Sequence, residues 1–208
     1  AASARVATPT TLPGALRAGD AVETRDNGVQ VLRWIGQRRL SAAELARRPK
    51  LRPVRIAAGA LGPGCPRREL VVSPQHRLLV EGRIAERMFG APEVLVAAIH
   101  LTRLPGIAVD AAAEDVSYVH LLFDRHEIVA AEGAAAESLH TGPEALKALS
   151  PAARAEIAAL FPDLARPPAR PLVPGARARR LAARHAANRR ALQAERGGRR
   201  GPAAVRPA

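Results

Sequence analysis

The chain has 208 residues, room for one or two domains with a genuine core. Apolar residues make up 48% but aromatics only 2%, so the core rests on Ala, Val, Leu and Ile, while 18 Pro and 16 Gly argue against a plain helical bundle. The net charge of +13 is uneven: residues 166–208 hold twelve arginines against the single acid Glu195, whereas the first 165 residues carry twenty basic and eighteen acidic side chains. One cysteine, Cys65, excludes an intramolecular disulfide framework and a Cys-rich zinc site. No run approaches the roughly 18 apolar residues of a membrane span, and the opening AASARVATP lacks a basic-then-apolar signal pattern.

In chain order, ARVAT (4–8) and then AVET and VQVLRWI read as short strands, the last two joined by Arg25-Asp26-Asn27-Gly28. Asn-Gly is a hairpin signal because both residues tolerate positive φ. Ser41-Ala42-Ala43-Glu44 has the form of a capping box and predicts a helix over 42–48, stopped by Pro49. LRPVRIAAGAL reads as a strand whose proline suggests an edge or a bulge. Cys65 follows in the turn-rich GPGCPRR, where an incidental thiol is the simpler reading than a catalytic one.

ELVVSPQHRLLVEG (69–82) then presents a strand, a polar island Ser73-Pro74-Gln75-His76, and a second strand. Residues 91–104 read as a further buried strand segment, and VSYVHLLF and HEIVAAEG as strands paired across Asp124-Arg125. Many short strands with frequent turns make an all-β body. After Gly133, GPEALKAL and SPAARAEIAALFPDL predict two short helices, the second with Ser150 as N-cap, Pro151 at the first helical position, and Ile157, Leu160 and Phe161 on one face. This gives a β domain over 1–140, short helices packing on it over 141–165, and a Pro/Arg/Ala-rich basic tail over 166–208, read as a marginal helix or disorder because Leu181 and Leu192 stand eleven residues apart.

The island breaks an apolar pattern at one place, and His76 there reads either as a hydrogen-bonded structural residue or as part of a site. A second polar cluster, His120, Asp124, Arg125 and His126, interrupts another apolar stretch. Two such interruptions favour a shared site. No cofactor or metal is expected, since the six histidines lack an H-x-x-x-H or similar ligand spacing.

Four segments in this order, ARVATP with LRAGDAVETRDNG, VLRWIGQRRL, SPQHRLLV, and YVHLLFDRHEIVAAEGAAAES, resemble the Hint domains of Hedgehog autoprocessing proteins and inteins over roughly residues 1–165. The closest likeness is to the bacterial Hint-type proteins without a splicing C-terminus. The resemblance implies a horseshoe-like all-β Hint fold of short strands. It also implies an autoprocessing chemistry in which an opening cysteine attacks the preceding peptide carbonyl and converts the amide to a thioester. Ser73-Pro74-Gln75-His76 occupies the place of the family's Thr-x-x-His motif. By resemblance, His76 is the proton donor to the scissile nitrogen and Ser73 positions either His76 or the scissile amide. Asp124 and His126 are the candidates for the later Asp/His pair, and His120 is a weaker candidate that reads first as a core residue.

Two departures qualify the likeness. Aligning ARVATP on the family's opening places the nucleophilic cysteine about two residues before Ala1, and Cys65 is in the wrong place to replace it. The run VAAEGAAAES carries Glu132 before Gly133 where splicing inteins carry His-Asn, so N-terminal cleavage or acyl transfer is expected rather than splicing. The expected partners are the upstream segment of the same polypeptide and an external thiol, water or other nucleophile. The alternatives are a degenerate Hint scaffold with a binding or structural role, and a protein whose basic tail binds nucleic acid or another anionic surface.

Overall fold

The computed structural model describes residues 16–142, 150–161 and 166–194. The expected strand at ARVAT, the helix at GPEALKAL and residues 195–208 of the expected tail lie outside the described residues. Eleven strands in the described residues form three antiparallel units. β1 (Ala21–Thr24) and β2 (Gly28–Val31) make the expected hairpin, with Gly28 at φ 63°, and the Thr24 hydroxyl donates to the Gly28 carbonyl. β3 (Trp34–Leu40) follows after a break, so VQVLRWI serves two sheets. The helix α1 (Ala42–Arg47) opens with the predicted capping box, Ser41 and Glu44 each satisfying the other's backbone N–H.

β4 (Val54–Ile56) is the central strand between β5 (Leu70–Val72) and β8 (Ile107–Val109), not an edge. Pro53 is tolerated because it precedes the first paired residue, where its missing N–H costs no ladder bond, and its carbonyl accepts from Asp110. β6 (Arg77–Glu81), α2 (Arg83–Phe89) and β7 (Glu93–Ala97) come next, followed by a short 3-10 turn over Ala98–His100. β9 (Val116–Leu122), β10 (Ile128–Ala131) and β11 (Ala134–Glu137) complete the strands. The six-stranded sheet runs β2-β1-β10-β11-β6-β7, and β3 pairs with β9 along its whole length.

One expectation about pairing changes here. β9 and β10 are not partners: the Phe123–Glu127 connection carries the chain from the β3-β9 ribbon into the six-stranded sheet. β10 instead turns back through Glu132 and Gly133, both at positive φ, to pair with β11. Both positive angles fit a tight two-residue hairpin turn.

The helix α3 (Pro151–Leu160) is capped by Ser150 as predicted and buries Ile157 and Phe161 against Trp34, Leu122 and Leu139, while Leu160 faces solvent at 50% exposure. The Trp34 indole N–H donates to Glu156 at 2.8 Å, tying this helix to β3.

Residues 166–194, expected as part of the basic tail, belong to the fold. Pro171 accepts from Leu95 N–H at 2.9 Å and Val173 N–H donates to the Leu95 carbonyl at 3.0 Å, adding a short parallel contact to β7. The helix α4 (Gly175–Ala187) buries Ala178, Leu181, Ala182 and His185, which follow at the spacing of one helical face. Three of these four residues are small or polar, so the face reads as thin in the sequence. The alanines instead let the helix lie close against α2 and the Ala98–His100 turn, and full burial of Leu181 contributes about 2 kcal/mol.

Beyond α4, Gln193 enters the core. Its amide nitrogen donates to the Leu79 and Ala135 carbonyls at 2.8 and 2.9 Å, and its oxygen accepts from Ala135 N–H at 2.8 Å. Gln193→Ala strands three buried backbone groups of β6 and β11, so a loss of about 3 kcal/mol is expected in urea denaturation. An unchanged midpoint would mean that the C-terminal segment is not anchored there.

Candidate functional site

The polar island is the crossover between two sheets. β5 ends in the three-stranded unit and β6 begins in the six-stranded sheet, so residues 73–76 must reverse direction outside any ladder. The Ser73 carbonyl accepts from His76 N–H at 3.0 Å, and the 98–99 turn clamps the loop through Ala98 N–H to the His76 carbonyl at 2.9 Å and Ile99 N–H to the Pro74 carbonyl at 3.0 Å. The backbone of His76 is thus held from both sides. Its ring is only partly exposed, and Nε2 is enclosed without a hydrogen-bond partner. Burial lowers the His76 pKa, aided by Arg77 and His126 and opposed by Glu137, so the ring is neutral at pH 7.

The next residue, Arg77, opens β6, and β11 is the neighbouring strand. That pairing sets Glu137 beside it. Glu137 Oε1 accepts from Arg77 N–H at 2.9 Å, and the Arg77 guanidinium lies 3.2 Å from both carboxylate oxygens. Glu137 also pairs across to Ile128 of β10, which delivers His126 to it. His126 Nε2 lies 3.4 Å from Glu137 Oε2, an electrostatic contact rather than a well-formed hydrogen bond. Burial of Glu137 would raise its pKa, but His126, His76 and Arg77 together hold its carboxyl below the usual range.

His120, inward from β9, belongs to the same group. Burial and then the His76 ring push its pKa down to about 4. It lines a cleft of about 600 Å³ between the β3-β9 ribbon and α3, with Trp34, Arg38 and Arg48 among the walls. His140 completes the group, its ring 5.0 Å from that of His126 and tilted by 56°.

The structure therefore gathers His76, His120 and His126, three of the five residues singled out in the sequence. Ser73 closes the island's turn through its backbone. Asp124 is not in the group: its side chain is 62% exposed at the turn after β9 and faces Arg33 at 3.4 Å. It follows the end of a strand whose side chains alternate sides, and the turn points it to solvent. Glu137 is the buried carboxylate of the site, and the sequence reading missed both it and His140. The available signal was a charged residue inside the apolar run AAAESL, which needs a partner if the strand is buried.

Cys65 lies apart from the histidines. It is buried, its thiol donates to Gln193 Oε1 at 3.3 Å, and burial pushes its pKa up to about 11, so it is a poor nucleophile. Among the described residues, no three His, Cys, Asp or Glu side chains have metal-binding geometry, and no helix is long and apolar enough to cross a membrane.

The body is all-β, built of short antiparallel strands, with a histidine–carboxylate cluster where its sheets meet. The family model described as the Hint domain matches residues 3–143, and the chain belongs to that family. Comparison with curated proteins and with solved structures gives no match.

Proposed function

We propose that the chain is a Hint-type autoprocessing module that cleaves the peptide bond preceding an upstream cysteine, or transfers the upstream segment to an external nucleophile. The observation that carries this reading is His76, a neutral, enclosed imidazole on a clamped backbone with one ring nitrogen left without a partner. Such a group suits proton transfer at a peptide bond.

The balanced sequence needs no cofactor. Neutral His76 takes the proton of the cysteine thiol as its sulfur attacks the preceding carbonyl carbon. The tetrahedral adduct collapses with cleavage of the C–N bond, and His76 returns the same proton to the departing nitrogen. The resulting thioester is opened by water, a thiol or another nucleophile, which frees the upstream segment and restores the cysteine thiol. Glu137, held by Arg77, balances positive charge on the surrounding imidazoles during the transfer. The cleft beside His120 offers the acceptor a route to the cluster.

The test is intact mass of the chain fused behind a carrier protein through a cysteine at the aligned position, with and without dithiothreitol. Thiol-accelerated release of the carrier is expected, and it should survive Cys65→Ser, since that thiol is buried and protonated. A fusion that stays intact at every pH and thiol concentration overturns the reading in favour of a Hint scaffold that binds without processing.

A further inference from the structure

His126, beside Glu137, and His140, beside His126, are held by a part of the chain beyond the family match, which ends at residue 143. Residues 166–171 cross over His126 and His140. The Ala169 N–H donates to His126 Nδ1 at 3.0 Å. The Arg166 carbonyl lies 3.1 Å from His140 Nε2.

These two contacts assign protons. A backbone N–H only donates, so His126 Nδ1 carries a lone pair and the neutral ring keeps its proton on Nε2, facing the Glu137 carboxylate. A carbonyl only accepts, so His140 is protonated on Nε2. The opposite tautomer of His126 would set its Nε2 lone pair against a carboxylate oxygen and leave the Ala169 N–H unpaired. Both changes are unfavourable in a buried site.

The segment is built to hold this position. Pro167, Pro168 and Pro171 restrict its backbone and leave only Ala169 and Arg170 as amide donors between them. The Arg166 guanidinium donates to the Phe123 and Asp124 carbonyls and stands 4.3 Å over the Phe161 ring. Arg170 pairs with Asp26 at 2.8 Å and with Glu93 at 2.6 Å. Leu172 then joins β7 beside Leu95.

We propose that residues 166–171 are a positioning strap of the processing site, whose Ala169 amide and Arg166 carbonyl fix His126 and His140 in single tautomers and so set the rate of processing. The proposal rests on the autoprocessing reading for its kinetic part only. Ala169 touches no reacting atom and acts through His126. The segment downstream of the family-matched region therefore governs whether the site is competent.

The experiment uses the full chain in the carrier fusion, labelled with 15N. A scalar coupling across the Ala169 N–H···Nδ1 bond is expected in the unmodified protein, with both rings as Nε2–H tautomers in their nitrogen shifts. Ala169→Pro removes the donor; His126 is then expected as a mixture of tautomers, with carrier release slowed about 10- to 100-fold, the scale seen when a histidine loses its orienting partner. Ala169→Gly keeps the amide and should keep both the tautomer and the rate. Arg170→Ala loosens the strap without touching a histidine and should shift both readouts in the direction of Ala169→Pro, which covers the case in which the proline variant does not fold. The proposal is overturned if the coupling is missing, if folded Ala169→Pro keeps a pure Nε2–H tautomer, or if tautomers change while the rate does not. A fusion that never cleaves yet shows the coupling and the tautomer shift overturns the autoprocessing reading and leaves the strap's hold on the two rings in place.

Discussion

His76→Ala is expected to slow release of the upstream segment by about 10²- to 10⁴-fold, the usual worth of a positioned acid–base group. The substitution tests chemistry rather than folding. Both backbone bonds of His76 survive it, because Ser73 accepts from its N–H and Ala98 donates to its carbonyl whatever the side chain. His76 is half-buried as a residue and its enclosed Nε2 has no partner to lose, so the stability cost should stay at about 1 kcal/mol. His76→Gln keeps polarity and much of the volume but carries no exchangeable proton of suitable strength, and it should be as slow as the alanine variant. The pH profile gives a second readout. Burial lowers the His76 pKa, so the working neutral ring persists below the ordinary histidine value of 6.5. Release should therefore remain on its plateau at pH 6.5 and fall only at lower pH. A variant that releases the carrier as fast as the parent would remove His76 from the mechanism, and thiol-driven cleavage at the cysteine alone would have to explain the reaction.

The fold was more legible in the sequence than the site. Asn27-Gly28, the Ser41–Glu44 box and Ser150-Pro151 each encode their structure within four residues, and each appears as read. The island was legible as an interruption because a strand cannot carry Pro74 and polar neighbours in its ladder. What was lost needs information from distant parts of the chain. Strand partners are one case: HEIVAAEG looks ready to pair with VSYVHLLF, yet Phe123–Glu127 changes sheets between them. The carboxylate is another. Asp124 stands two residues from His126 in sequence, and the family resemblance implies these two as its Asp/His pair. Glu137 stands eleven residues away but is brought to His126 by the β10-β11 register, Ile128 opposite Glu137. For residues 166–194, composition hid the packing. Arginine and alanine suggested a solvated tail, but Arg166, Arg170 and Arg177 are spent on internal partners, and alanines at 178 and 182 make the close helix contact.

Glu137→Gln should cost about 2–4 kcal/mol at pH 7.5, the range for breaking a buried, charge-assisted network at one partner. Among the described residues, the groups that contact the carboxylate are donors or cations: Arg77 N–H, the Arg77 guanidinium and the Nε2 side of His126. An amide nitrogen at either oxygen position would face another donor, so the isosteric change cannot be absorbed by a flip. Asp124→Asn is the matched control, since that side chain is 62% exposed and faces Arg33; it should move stability by less than about 0.5 kcal/mol.

The two variants also separate in acid. His120 is lowered to about 4 from 6.5, so its contribution is complete above pH 6.5, where both folded and unfolded rings are neutral. Below 6.5 the unfolded chain takes up the proton first, and His120 alone lowers stability toward pH 4 by on the order of 3 kcal/mol at most; His76, also depressed by burial, adds to the same stage. The Glu137 carboxyl is depressed below its ordinary 4.5, so its contribution is present above 4.5 and is lost as pH falls through the lower folded value. Parent protein and Asp124→Asn should thus lose stability in two stages, from pH 6.5 and again below 4.5. Glu137→Gln should begin from a lower stability, keep the first stage and show a smaller second, to which the exposed, depressed carboxyls of Asp115 and Glu44 still contribute. Denaturant titrations at pH 7.5, 5.5, 4.5 and 3.5 read all of this. Equal stability of Glu137→Gln and parent at pH 7.5, or the same second stage in both, would mean that Glu137 is not the charge that holds the histidine cluster together.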